Sequence, residues 1–141
     1  MIYPTLNTKI NTILSNVSQI RQVYAYPTAK IDKYPAAIYF PSSLENTFET
    51  TAENFKIYGY KLYLVINARN KTISTLFETT MPQLVDAVMQ ALDDGWNFDT
   101  IDGHRVWTKA RTGSWTVTDE QGGPEIIAEF DLEVKLLTTN N

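Results

Sequence analysis

From Ile126 to Leu136 the chain alternates residue by residue between an apolar and a second, mostly charged set. Ile126, Ala128, Phe130, Leu132, Val134 and Leu136 fall on one side. Ile127, Glu129, Asp131, Glu133 and Lys135 fall on the other. Strand side chains point to opposite faces with period two, so this stretch predicts a sheet strand with one face against a core and one face toward water. A fold built around such a strand has to supply a cover for one side of a sheet. Gly122, Gly123 and Pro124, just ahead of it, read as the turn that feeds the strand.

The rest of the chain supplies the cover. Leu6, Ile10, Ile13, Leu14, Val17 and Ile20 recur at spacings of three and four, which predicts a helix from about Thr5 to Ile20 with Thr5 as its N-cap. Ile73, Leu76, Phe77, Leu84, Val85, Val88 and Leu92 predict a second helix over Thr72 to Leu92. Pro82 lies inside it. A proline deletes one intrahelical hydrogen bond and clashes with the preceding turn, so a kink or a restart is expected near Thr80, and Asp94-Gly95 is the expected stop.

Short strands are expected at Arg21 to Tyr26 and at Ala36 to Phe40, the latter fenced by Pro35 and Pro41. Ser42 to Glu53 is polar and threonine-rich and reads as an exposed excursion. Asn54 to Asn67 is the longest strand candidate. Tyr58, Tyr60, Leu62, Leu64 and Ile66 share one face, and Phe55, Ile57, Tyr63 and Val65 make the other apolar as well. Two apolar faces call for two covers, the second being a sheet fold-back or a neighbouring subunit. Late in the chain, Asp102-Gly103 predicts a tight hairpin, followed by strands at Arg105 to Ala110 and Ser114 to Thr118 with a turn at Thr112-Gly113 between them. Helix, strands, helix, strands with hairpin links predict an α+β fold: a mixed, mostly antiparallel sheet flanked by two main helices. At 141 residues the expectation is one domain, 1–141, burying about two-thirds of its unfolded surface.

Composition excludes several chemistries. Without cysteine there is no thiol nucleophile, disulfide or thiolate metal site. A formal net charge of -4 and scattered bases (Lys30 and Lys33; Arg105, Lys109 and Arg111) argue against a nucleic-acid patch, which needs clustered cations. Met1 to Lys9 does not read as a signal peptide, and no run approaches the roughly 20 apolar residues of a membrane span, so an unanchored protein made in the cytosol is expected. His104 is the lone histidine and sits beside a turn. Asp93, Asp94, Asp99 and Asp102 are the densest carboxylates, but Gly95 and Ile101 stand where a calcium loop needs oxygen ligands. Helix-end and turn chemistry accounts for them. The tryptophans and Tyr58, Tyr60 and Tyr63 read as strand packing. No catalytic residue, cofactor or metal is expected. Two rivals stay open: a small hydrolase or isomerase using Asp99, Asp102 and His104, and a ligand-binding module with the tyrosine-rich strand as a pocket wall.

The order and texture of the elements resemble the tail terminator and tail-to-head joining proteins of long-tailed bacteriophages. The resemblance runs through the opening helix, Val23-Tyr24-Ala25-Tyr26-Pro27 and Lys33-Tyr34-Pro35-Ala36-Ala37-Ile38-Tyr39-Phe40. It continues through Glu49-Thr50-Thr51-Ala52-Glu53-Asn54, the strand Tyr58 to Ile66, the second helix and the strand after Gly122-Gly123. Related neck, head-completion and minor tail proteins share this size and texture. The resemblance implies a structural virion protein, assembled in the bacterial cytoplasm, that forms a homohexameric ring, caps tail-tube polymerisation and joins the tail to the head. Its partners would be its own copies, the tail tube protein and the connector proteins, with DNA passing through the lumen without specific binding and no membrane involved. Two sets of residues are expected to serve such a ring. Ile57, Tyr63 and Val65 would face an adjacent subunit, and Glu45, Glu49 and Glu53 would face the lumen or the tube.

Overall fold

A computed structural model describes residues 2–28, 30–48, 53–67, 73–96, 100–101, 104–120 and 123–139. Helix α1 (Ile2–Ser15) is followed by β1 (Gln22–Tyr24), β2 (Ala36–Phe48) and β3 (Glu53–Asn67). A helical run then comprises α2 (Ile73–Thr75), a π-helical turn (Leu76–Thr80) and α3 (Met81–Trp96). Strands β4 (Thr100–Ile101), β5 (His104–Glu120) and β6 (Gly123–Thr139) complete the chain. The strands form one sheet in the order β1-β2-β3-β6-β5-β4, with β1 parallel to β2 and every other neighbour antiparallel. The fold is α+β, as the element order predicts.

The alternating strand is the sheet's spine. From Glu125 to Thr139, β6 pairs with the whole of β3, and it pairs with β5 on its other side. Its apolar set, Ile126 to Leu136, is fully buried with Tyr58, Tyr60, Leu62, Leu64 and Ile66 of β3. Over them pack Leu6, Ile10, Ile13 and Leu14 of α1, Leu76, and Met81, Leu84, Val88 and Leu92 of α3. Both helices therefore cover one face of the sheet. Asn7 fixes α1 to that face: the Tyr60 hydroxyl donates to its Oδ1 at 2.7 Å and the Tyr39 hydroxyl to its carbonyl oxygen at 3.1 Å. Tyr3 adds an edge-on contact with Tyr58 at 4.8 Å between ring centroids.

Element boundaries differ from expectation in several places, among them the end of α1, which comes at Ser15 rather than Ile20. Helix α1 begins at Ile2, ahead of Thr5, because Pro4 falls in the first turn, where its missing N–H has no intrahelical duty. The irregularity expected near Thr80 is a widened turn, Leu76–Thr80, with the Met81 N–H donating to the carbonyl of Leu76 five residues back; α3 starts at Met81 and continues past the expected stop, through Gly95 to Trp96. Strand β2 runs through Pro41 to Phe48, so Ser42 to Phe48, read as part of a polar excursion, pair antiparallel with β3. β1 borders β2 only at Ala36 to Ile38, and the β2–β3 register shifts between Pro41 and Ser43; a sheet edge and a bulge are the places where a strand tolerates proline. Lastly, Thr112-Gly113 is no turn. β5 is continuous, with a register shift between Thr112 and Trp115, and a Cβ on Gly113 would run into the carbonyl oxygen of Glu129 across the ladder. The glycine lets two backbones approach rather than reversing one.

Candidate functional site

Among the described residues no helix packs on the second face of the sheet. Its middle is built by Phe40 of β2, Ile57, Lys61 and Tyr63 of β3, and Ile127, Glu129, Asp131, Glu133 and Lys135 of β6, all brought to one side by the pleat. Lys61 bridges two carboxylates of β6, Glu129 at 3.1 Å and Asp131 at 2.6 Å. Hydrogen bonds to Asp131 and then Glu129 hold the Lys61 ammonium up to about 12. Beside it, Tyr63 stacks on Phe40 at 5.9 Å; burial and the Glu129 carboxylate push its phenol up. Further along, Lys135 sits over the Phe55 ring at 4.1 Å, a cation–π contact. On the outer strand the ladder places Arg111 opposite Asp131 and Lys109 opposite Glu133, so Asp131 has a base at the register position on both sides, Lys61 and Arg111.

At the end nearer β1 the face turns apolar. The segment between β1 and β2 folds back over it, burying Tyr24, Ala36, Ile38 and Val65, with Ile31, Tyr34 and Phe40 against them. Tyr34 donates to Glu125 Oε1 at 2.6 Å, and the Asp32 N–H donates to the Tyr24 hydroxyl at 3.0 Å. An open groove of about 290 Å³ remains between this segment and the sheet, walled by Ile31, Ile38, Phe40, Tyr63 and Ile127.

The expected site residues separate on this face. Val65 is 2% exposed and covered by the chain's own fold-back, so it offers no surface to a neighbour. Ile57 and Tyr63 keep part of their surface open. Of the acidic set, Glu45 is exposed on β2 opposite Ile57, Glu53 opens β3 opposite Thr139, and Glu49 lies outside the described residues. Glu45 and Glu53 belong to the far half of the paired β2 and β3 strands. In the rival hydrolase neighbourhood, Asp99 and Asp102 lie outside the described residues, and His104 is placed only by its backbone, opposite Ile101. Asp93 and Asp94 are exposed near the end of α3, where Gln90 Nε2 donates to Asp94 Oδ1 at 3.0 Å. Among the described residues no three His, Asp or Glu side chains gather as metal ligands, and no helix is long and apolar enough to cross a membrane. Trp115 stacks on Phe77 at 6.0 Å. The signal missed in the sequence is the edge of the sheet, where among the described residues long strands leave bare backbone that no side-chain pattern marks.

No protein-family model and no curated protein matches the chain in sequence. A solved structure, the virion of a native gene transfer agent particle, contains a chain of similar fold. The match has a TM-score of 0.53 at 10% identity and covers 99% of this chain and 98% of that one. Such a match speaks to fold, over the full length of both chains.

Proposed function

We propose that the protein is a structural component of a phage-type virion, and within that class a tail terminator. The observation that carries this reading is the end-to-end likeness of its fold to a virion chain. The order of elements that resembles terminators in sequence points the same way. In this role the protein works by fit. Six copies close into a ring, because a head-to-tail contact between identical subunits closes only when its rotation divides the circle. The ring matches the last turn of the tail tube, offers the next tube subunit nothing to add to, and presents its other side to the connector. Ile57 and Tyr63 would pack against a neighbouring copy or its arm. Glu45, Glu49 and Glu53, with a net charge of -4 behind them, would keep passing DNA from adhering.

The test is electron microscopy of tails assembled with and without this protein. Tubes of uncontrolled length, or finished tails that fail to join heads, are expected in its absence. Tails of normal length joined to heads would remove the proposal.

A further inference from the structure

Every strand of a sheet is paired on two sides except at the edges, and here the edges are unusual. β1 borders β2 only at Ala36 to Ile38, and β4 borders β5 only at His104 and Arg105. Among the described residues, β2 from Tyr39 to Phe48 and β5 from Val106 to Glu120 have no strand on their outer side. Long bare edges of this kind are templates for another strand.

The two edges also match each other. They are bare at the same height: Asn46, Lys56, Leu136 and Val106 lie in one row across the sheet, and so do Tyr39, Leu62, Phe130 and Thr112. The short strands that cap the edges sit at opposite ends, so neither blocks this shared stretch. Because four long strands alternate in direction, β2 and β5 run opposite ways. In a ring, where every copy keeps the same orientation, β5 of one copy therefore meets β2 of the next as an antiparallel pair. Charge agrees over the shared stretch: from Tyr39 to Asn46 β2 carries Glu45 as its one charged residue, while from Val106 to Thr112 β5 carries Lys109 and Arg111 and no acid. Three large apolar residues exposed on the surface, Leu44 at 52%, Trp115 at 37% and Val117 at 43%, also lie on these two strands. Their ladder partners, Tyr58, Ala128 and Ile126, belong to the core, so all three stand on the helix-bearing side.

We infer that the subunits join by strand addition, the β2 edge of one copy pairing antiparallel with the β5 edge of a second copy, so that the sheet continues from subunit to subunit. This rests on the ring reading above and names the surface that closes it.

The chain has no cysteine, which makes the test direct. Glu45→Cys, with Thr47→Cys as a second reporter, is paired with Trp107→Cys, Lys109→Cys or Arg111→Cys, positions that alternate along β5. Within one chain β2 and β5 are three strand spacings apart, about 14 Å, well beyond the roughly 7 Å limit of a disulfide. Any bridge is thus between copies. Mild oxidation of the protein assembled on tail tubes is expected to link a β2 reporter to at least one β5 position, and doubly substituted chains should give a ladder that stops at six. A ring seen by microscopy with no β2–β5 link would overturn the edge pairing and leave the ring reading standing. Links only between two β2 or two β5 reporters would mean a two-fold contact and overturn it as well. Absence of both ring and link would overturn the two together.

Discussion

The two faces of the sheet are made by the same strands and obey different rules. On the helix side, β6 contributes six side chains that are almost wholly buried, and each is held by volume. On the open side, its neighbours in sequence Glu129 and Asp131 are at least partly solvated and held by the charge of Lys61. One residue of slip in register would exchange the two sets. The contrast separates what makes the chain fold from what is free to serve assembly. The covered face is a packing problem already solved within the chain, whereas the open face and the strand edges are where another protein can be read.

The largest effect should come from the covered face. Phe130→Ala removes a ring with 0% exposure at the centre of the core and is expected to cost about 3–5 kcal/mol in denaturant unfolding. A cost near that of a surface substitution would mean that the two faces are not distinct. Gly113→Ala comes next, since the added methyl meets the backbone of β6 rather than a side chain that can swing aside; a loss of about 1–3 kcal/mol is expected. Tyr60→Phe leaves the Asn7 side chain without its donor and should cost about 1–2 kcal/mol, read from the same unfolding curves. The smallest change is expected for Lys61→Ala on the open face, where exposed ion pairs contribute little and salt screens them. Should Lys61→Ala destabilise more than Tyr60→Phe, the open face would be part of the folding core.

Alkaline pH sharpens the same comparison. Burial and then Tyr3 raise the Tyr60 phenol well above its ordinary 10.0, and the carboxylates of Asp131 and Glu129 raise Lys61 from 10.5 to about 12. Both folded-state values exceed the unfolded ones. The stability they contribute is therefore fully present below pH 10.0 and is lost as pH rises through the folded values. Tyrosinate absorbance should lag behind that of free tyrosine and then rise together with unfolding; Tyr60→Phe should soften that alkaline limb more than Lys61→Ala does.

How much of this was legible in the sequence follows from the same division. The core face of β6, the stripe of α1 and the aromatic face of β3 all rest on periodicity, and periodicity is a property of consecutive residues. What stayed hidden depends on distant partners. β2 continues past Pro41 because only a short strand lies beside it, and β5 continues through Gly113 because Glu129 of β6 presses against it. Val65 is apolar for its own chain, covered by the fold-back around Tyr24 and Ile38, while Tyr63, two residues earlier, stays partly open. Bare strand edges are a fact of topology, which single-residue patterns do not carry.

The central claim, that the chain is built to fit copies of itself at the end of a tube, is tested most directly by locating it in a finished particle. A reconstruction of that particle by electron cryomicroscopy should show six copies in one ring between the last tube layer and the connector, their sheets facing each other edge to edge. Its absence from the particle, or its presence there as isolated single copies, would contradict the account.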